Sequence, residues 1–199
     1  MSMTTAAQSQ ILRAALKLFG ERGATQVNVK ELAEAAGVAR GTIYNNLDDL
    51  AGLFDAVAVQ LAAQMSAQVE QAIAGLDEPA QRLATGIRLH VLYAARDPAV
   101  GRFILRFGFS AAALREIWTG QALADLRDGR ARGFYDFPEA QLDAVVNFIS
   151  GATIGVIAST LERPERAAEA GMEAAERILI ALGLTRAEAR RRARAATPE

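Results

Sequence analysis

The spacing of apolar and polar residues predicts helices along almost the whole chain. Between about Thr5 and Arg22, apolar residues recur every three or four positions, which is typical of a helix with one buried face, and Gly23 then ends the segment. Alternation of β-branched with polar residues is nearly missing, so the pattern does not favour strands. The predicted fold class is all-α.

Glycine and proline divide the remaining chain into further predicted helices. Gly75 ends a long helix that starts near Leu50, and four prolines stand near helix starts, where a missing N–H group is tolerated. The later segments are Pro79–Ala95, Pro98–Phe107, Ala111–Gly133, Pro138–Glu162 and Pro164–Leu182. We expect the arginine-rich tail, Thr185–Glu199, to form a solvated last helix with a frayed end.

Two short predicted helices before residue 48 carry clear start and stop signals. Asn28 can cap the first of them, while Glu31, three positions on, reaches back to the cap. Gly37 can end this helix in the left-handed conformation, and a second short helix runs from about Ala39 to Leu47. Two such helices joined by a glycine-containing turn form a helix-turn-helix.

The exposed side of this motif carries residues that suit DNA. Arginine pairs with guanine and asparagine with adenine, and hydroxyl groups bind bases or phosphates. Short helix pairs are also common connectors in helical proteins, so the pattern alone leaves both interpretations open. The candidate DNA-binding residues are Asn28, Lys30, Arg40, Gly41, Thr42, Tyr44, Asn45 and Asn46.

The segment from Ile11 to Phe54 resembles the DNA-binding domain of the tetracycline-repressor (TetR) family. The matching positions are Ala15, Leu18, Phe19, Gly23, Val29, Leu32, Ala33, Ala36, Gly37, Val38, Gly41, Thr42, Ile43 and Tyr44. The resemblance implies a fold of nine or ten helices, a homodimer, double-stranded operator DNA as a partner, and an inducer pocket in the second domain. We therefore divide the chain into a helix-turn-helix domain at 1–48 and a ligand-binding and dimerisation domain at 49–199.

The chain departs from that family just after the matching tyrosine. Family members usually have His or Tyr, then Phe, and shortly afterwards a Lys beside a phosphate, whereas this chain has Asn46, Leu47 and Leu50. Asp48 and Asp49 add negative charge at the same place, and each lost phosphate contact weakens DNA affinity. An alternative therefore stays open: a dimeric helical small-molecule-binding protein of the same fold with weakened or lost DNA binding.

Several aromatic residues fall in three consecutive predicted helices of the second domain. In the resembling family these helices enclose the inducer, and an apolar cavity with one or two polar anchors suits a small molecule. Each of these residues is otherwise ordinary core. The candidate binding residues for a small apolar effector are Met65, His90, Tyr93, Phe103, Phe107 and Trp118.

The predicted helix Pro138–Glu162 is apolar nearly all round, so most of its sides must be covered in a soluble protein. Its Gly151 and Gly155 leave a strip where another backbone can come close. With the next helix, and with the same pair from a second subunit, it would form a four-helix interface; burial within one chain is the alternative. The candidate dimer residues are Phe148, Gly151, Gly155, Ala170, Ala174 and Ile178.

Composition and charge narrow the classes of function. The net charge is −1, so DNA contact must come from a local set of basic residues. One histidine and no cysteine cannot form a typical zinc site, and no phosphate-binding glycine loop or nucleophile signature is present, so we expect neither an enzyme nor a cofactor. No secretory leader is evident, and the apolar run Ala144–Thr160 is too short and polar for a bilayer, so we expect a cytoplasmic protein without a membrane partner.

The sequence thus predicts a ligand-responsive transcriptional regulator acting as a repressor. Two recognition helices of a dimer would lie about 34–36 Å apart in successive major grooves. A small apolar effector in the second domain would change that separation and release the DNA.

Overall fold

The computed structural model describes residues 6–47 and 49–195, and these residues form helices and turns without a strand. The all-α prediction is confirmed. A short 3-10 turn precedes each of the helices α9 and α10. The helices are α1 (Ala6–Arg22), α2 (Val29–Ala36), α3 (Arg40–Asn46), α4 (Leu53–Ile73), α5 (Pro79–Arg96), α6 (Pro98–Phe107), α7 (Ala112–Thr119), α8 (Gln121–Ala131), α9 (Leu142–Glu162), α10 (Ala167–Ala181) and α11 (Arg186–Ala193).

Helix α2 begins and ends where its sequence predicts. The Asn28 side chain accepts a hydrogen bond from the Glu31 backbone N–H at 2.9 Å, and Gly37 is left-handed with a φ of 64°. The Glu31 carboxylate accepts a hydrogen bond from Arg22 Nη1 at 2.6 Å, and hydrogen bonds with Asn28 also stabilise its charged form. This ion pair joins α1 to α2 and lowers the pKa of Glu31.

The segment 111–133, predicted as one helix, is two helices in the structure. The chain leaves helical geometry at Gly120, where φ is −68° and ψ is −98°. A Cβ atom at this position would lie 3.0 Å from the Glu116 carbonyl oxygen, so the sharp break suits glycine. The break matters for the site, because it allows Trp118 of α7 and Gln121 of α8 to border the same cavity.

Helix α5 lies at the centre of the second domain and contacts α4, α6, α8, α9, α10 and α11. Its buried residues Leu83 and Ile87 share a hydrophobic core with Ile178 and Leu179 of α10. At Gly171 of α10 the two helices come close, since a Cβ atom there would lie 3.4 Å from the Arg88 Cα. The second domain is therefore built around one helix.

The last helix, α11, was predicted to be solvated, and this expectation is wrong for the described part of the tail. Ala189, Arg192 and Ala193 are buried. Arg192 Nε donates to Glu78 Oε2 at 2.7 Å, which ties α11 to the start of α5. The final residues, 196–199, lie outside the described part of the chain.

One aromatic cluster joins the helix-turn-helix to the second domain. The rings of Phe19 in α1 and Phe54 in α4 have centroids 5.3 Å apart, and Phe54 lies 4.9 Å from Phe107 of α6. Phe103 of α6 lies 5.2 Å from Phe107. Both α6 phenylalanines are buried in this cluster, so they hold the two predicted domains together.

The apolar run that was predicted to be too short for a bilayer belongs to a longer segment. By length and composition alone, the 24-residue helical segment Glu139–Glu162 could cross a membrane. Only 39% of its most apolar 18-residue stretch is buried within the chain, so much of α9 is left uncovered.

Candidate DNA interface and ligand cavity

Helix α3 is anchored by one buried residue and presents polar residues on its other side. Ile43 is fully buried, whereas Tyr44 is 66% exposed. Arg40, Gly41 and Asn45 are also exposed, and no atom outside the helix would lie within 4 Å of a Cβ at Gly41. The structure therefore leaves these predicted DNA-binding residues accessible.

The remaining candidate DNA-binding residues are more constrained. Asn46 Nδ2 donates to the Thr42 carbonyl oxygen at 2.9 Å, and both residues are half-buried. Lys30 is exposed in the first turn of α2. Asn28 is exposed but uses its side-chain oxygen to cap α2.

The turn just before Leu53, where α4 begins, carries an acidic residue. Asp49 accepts hydrogen bonds from the backbone N–H groups of Ala51 and Gly52, at 2.8 and 3.1 Å. These hydrogen bonds delay the start of α4, which was predicted near Leu50. They also place a negative charge where free N–H groups could otherwise bind a phosphate. Asp48 lies outside the described residues.

A cavity of about 390 Å³ lies in the second domain, bordered by α4, α5, α7, α8 and α9. Two of the predicted ligand-binding residues border it, His90 and Trp118, whose ring centroids lie 5.2 Å apart in an edge-to-face arrangement. Trp118 donates its Nε1–H to the Gly108 carbonyl oxygen at 3.2 Å. The cavity thus has an aromatic side.

The other four predicted ligand-binding residues do not border this cavity. Phe103 and Phe107 lie in the aromatic cluster between the domains. Met65 is fully buried beside His90, and the Tyr93 hydroxyl lies 3.3 Å from Gln64 Oε1, beside a groove next to α1. The sequence could not separate these residues from the lining, because a buried aromatic residue has the same pattern in either place.

A polar side of the cavity was missed by the sequence reasoning. Arg82 Nε donates to Asp125 Oδ1 at 2.6 Å, and Gln121 Nε2 donates to the same oxygen at 3.0 Å. The sequence could have indicated part of this polar lining. Arg82, Gly86 and His90 are spaced four residues apart and therefore share one face of α5, and all three border the cavity. Asp125, on another helix, had no such signal.

Burial changes the protonation of two cavity residues. It lowers the pKa of His90 from 6.5 to about 4, so the imidazole is neutral near neutral pH. Burial also raises the pKa of Asp125, and the hydrogen bond and charge of Arg82 oppose that rise. The cavity therefore combines a neutral imidazole with a buried ion pair.

The predicted dimer residues fall into two groups. Phe148 is 50% exposed on α9, and Gly151 and Gly155 face open space. Ala174 and Ile178 are instead buried within the chain's own core. A surface groove of about 400 Å³ lies between α9 and α10. Four of the predicted dimer residues border it, namely Phe148, Ala170, Ala174 and Ile178.

Among the described residues, no three His, Cys, Asp or Glu side chains come together as a metal site would require. Fold and site instead define a class of protein: a helical regulator with an exposed helix-turn-helix and a ligand-sized cavity in the adjoining domain.

Comparison with protein families identifies the particular family. Residues 11–57 match the bacterial regulatory proteins of the tetR family, and residues 78–195 match the tetracyclin repressor-like C-terminal domain. The second match alone covers more than half of the chain. The chain belongs to the tetR family of transcriptional regulators, and its relatives are named as regulators rather than enzymes.

Curated relatives agree with this assignment. The chain is similar to an uncharacterised HTH-type transcriptional regulator of Mycobacterium tuberculosis, found in two strains, with 31% identity over 97 residues. The match covers 49% of this chain and 48% of the relative. The chain thus spans about half the length of the curated relatives it matches.

Solved structures extend the similarity along the chain. The regulator RolR, crystallised with resorcinol, is 27% identical, with a TM-score of 0.72 over 97% of this chain and 95% of RolR. The fatty acid degradation regulator FadR of Bacillus halodurans is 18% identical, with a TM-score of 0.74 over 92% of this chain and 100% of FadR. The FadR similarity concerns the fold alone.

Proposed function

We propose that this chain is a cytoplasmic repressor that binds operator DNA as a homodimer and releases it when a small effector fills the cavity beside α5. The observation that carries the proposal is the hydrogen bond from Trp118 Nε1, in the cavity lining, to the Gly108 carbonyl oxygen at the end of α6. Since α6 also holds α1, this bond is a direct connection from the cavity to the DNA-binding domain.

The contact between α6 and α1 is close and polar. Arg106 Nε donates to the Gly20 carbonyl oxygen at 2.7 Å, and Arg106 Nη2 donates to the Glu21 carbonyl oxygen at 3.3 Å. A Cβ atom at Gly20 would lie 3.1 Å from the Ala99 carbonyl oxygen, so the backbones of the two helices nearly touch. A shift of α6 must therefore move the end of α1.

Release of DNA follows from this connection. An effector that displaces Trp118 shifts Gly108 and the end of α6, and with it α1 and the recognition helix α3. The two α3 helices of a dimer then no longer match major grooves about 34–36 Å apart. The effector lowers DNA affinity by as much as it prefers the displaced conformation.

The proposed effector is small and partly polar, whereas the sequence suggested a small apolar effector in a cavity with one or two polar anchors. A wholly apolar ligand would take water away from the buried Asp125 and Gln121 without replacing its hydrogen bonds, which is unfavourable. RolR, which is similar over nearly the whole chain, was crystallised with resorcinol, a small hydroxylated ring. That similarity supports an effector of the same size.

The proposed dimer is formed by α9 and α10 of two copies. Phe148, Gly151 and Gly155 lie at intervals of three and four and form one uncovered stripe on α9. A second copy of this stripe would cover the apolar side of α9 that the chain leaves exposed. Small residues allow the two helices to approach closely.

The test is a fluorescence anisotropy titration of the protein against labelled duplex DNA from upstream of its own gene, at low salt. We expect saturable binding that a scrambled duplex does not give. Arg40→Ala should weaken binding about tenfold, because arginine contacts to bases or phosphates contribute about 1–3 kcal/mol. The matched control is Arg115→Ala, an exposed arginine on α7 of the second domain.

A second candidate function is favoured by Asp49, the acidic residue in the turn before α4. Asp49 occupies the backbone N–H groups of Ala51 and Gly52 that could otherwise bind a phosphate. Absence of saturable DNA binding at low salt would favour a dimeric small-molecule-binding protein of the same fold.

A further inference from the structure

Asp125 is buried, with one carboxylate oxygen engaged and the other available. Its Oδ1 accepts both the Arg82 Nε–H at 2.6 Å and the Gln121 amide at 3.0 Å. Among the described residues, Oδ2 has no hydrogen-bond partner, although the residue is only 1% exposed and borders the cavity. A carboxylate oxygen only accepts hydrogen bonds. The missing partner is therefore a hydrogen-bond donor.

His90 provides a second available polar group. Within the described part of the chain, its imidazole has no hydrogen-bond partner, and it packs against Trp118 in an edge-to-face arrangement. Because burial keeps it neutral near neutral pH, it offers one N–H donor and one nitrogen acceptor. His90 and Arg82 are eight residues apart on α5, which is about 12 Å along the helix.

The space between these two polar groups is apolar and suits a ring. Gly86 lies midway between Arg82 and His90 and has no side chain, and a Cβ atom there would lie 3.6 Å from Val69 Cγ1. Apolar side chains complete this part of the lining, namely Val69, Leu83, Ile87, Ile117 and Ile149. With Trp118 beside it, an aromatic ring placed here gains edge-to-face contacts.

Charge at the cavity disfavours an anionic ligand. Arg82 is the one basic side chain bordering it within the described residues, and Asp125 and Asp128 already pair with its guanidinium, at 2.6 and 2.7 Å. Two further carboxylates, of Glu70 and Glu116, border the same cavity. A bound anion would have no unpaired cationic side chain to contact, because Arg82 is already paired. It would also be repelled by the three carboxylates that border the cavity, those of Glu70, Glu116 and Asp125.

We propose that this cavity selects a neutral aromatic compound with at least two hydroxyl groups, one donating a hydrogen bond to Asp125 Oδ2 and the other bonding to the His90 imidazole, with the ring over Gly86. This inference rests on the proposed function, because it assigns a ligand class to the proposed effector cavity. Asp125, His90 and Gly86 are then its specificity-determining residues.

The experiment uses Trp118 as the reporter, since it is the only tryptophan in the chain. The full-length protein is titrated with three probes: resorcinol, its dimethyl ether and meta-hydroxybenzoate. The ether keeps the ring but cannot donate hydrogen bonds, and the benzoate adds a negative charge. We expect saturable quenching by resorcinol, with affinity for each of the other two weaker by about tenfold or more.

Variants separate recognition from a structural role. Asp125→Asn removes the free acceptor and should weaken resorcinol about tenfold without changing the affinity for the ether. His90→Phe keeps a ring beside Trp118 and should have the same selective effect. Gly86→Val fills the ring space and should weaken both neutral probes. Asp143→Asn, at an exposed position of α9, is the matched control, and thermal melts followed by circular dichroism verify folding.

Two kinds of result, one from the probes and one from the variants, would overturn the ligand class. One is equal affinity for resorcinol and its dimethyl ether, or no response to any probe. The other is equal weakening of both neutral probes by Asp125→Asn and by His90→Phe. Neither result touches the repressor proposal, because the operator titration is made without an effector and fails or succeeds independently.

Discussion

His90 is the only histidine in the chain, and its imidazole borders the cavity beside Trp118. Burial lowers its pKa from 6.5 to about 4, because the surroundings disfavour the charged form. The same residue is free to titrate at its ordinary pKa once the chain unfolds. Stability therefore depends on pH through this side chain.

We predict that the free energy of unfolding falls as the pH drops from 6.5 to about 4. In that window the unfolded chain binds a proton at His90 that the folded chain does not, so protonation favours unfolding. In His90→Phe, the decrease in the free energy of unfolding across this window should be smaller by about 1 to 3 kcal/mol. Urea unfolding of both proteins across the window measures it, and identical pH profiles would contradict the prediction.

We expect Asp49 to affect DNA binding through its charge and through its hydrogen bonds to the turn before α4. Asp49→Asn removes the negative charge and keeps one side-chain oxygen, which can accept from the N–H of either Ala51 or Gly52, whereas the two carboxylate oxygens of Asp49 accept one each. We predict an increase in DNA affinity of about threefold at low salt, which shrinks as salt screens the charge. The control is Asp143→Asn on α9, which should leave affinity unchanged; an equal gain from both substitutions would sink the prediction.

At the scale of helices, α6 connects the cavity lining, through Trp118, to α1 of the helix-turn-helix domain. Its last turn holds α1 through Arg106, and the carbonyl oxygen that follows it, at Gly108, accepts the hydrogen bond from Trp118. A Cβ atom at Gly108 would lie 3.0 Å from Ile154 Cδ1 of α9, so this end of α6 is packed closely against another helix. A closely packed helix transmits a displacement rather than absorbing it.

We predict that Arg106→Met uncouples the two sites. Effector affinity should be unchanged, because Arg106 does not border the cavity. The factor by which effector lowers DNA affinity should fall about tenfold, within the usual range of coupling energies of 1–3 kcal/mol. Calorimetry and operator titrations with and without resorcinol measure both quantities. Leu105→Ala, exposed on the same helix, is the control; full coupling in Arg106→Met would refute the connection.

At the scale of the whole molecule, α9 is a helix whose apolar surface a single chain covers only in part. It is apolar enough to pass for a membrane-spanning segment, yet only part of it is buried. A second copy of the chain is the simplest cover for such a face. The exposed Phe148 lies on that face.

We predict that the unchanged protein sediments as the proposed dimer and that Phe148→Arg sediments as a monomer in sedimentation velocity. A buried charge without a partner at a helix interface strongly disfavours association. Phe109→Arg is the matched control, because Phe109 is 52% exposed at the end of α6 and lies off α9. A dimer that survives Phe148→Arg unchanged would move the interface elsewhere.

The sequence by itself determined the features that depend on neighbouring residues. Asn28 and Gly37 set the ends of α2 through local hydrogen bonds and backbone conformation, and the periodic apolar residues around Ile11 and Phe19 set the buried side of α1. Such signals act within one or two turns, so a reading of the chain alone finds them.

Only the tertiary structure decided which buried residues form core and which border a cavity. In the sequence, Phe103 and Trp118 are equally good candidates for the cavity lining. In the structure, Phe103 belongs to the aromatic cluster between the domains, and Trp118 borders the cavity. Asp125 meets Arg82 from 43 residues away, and no local pattern encodes a meeting of two helices. Long-range packing therefore placed the chemistry of the cavity, while local chemistry placed the helices that surround it.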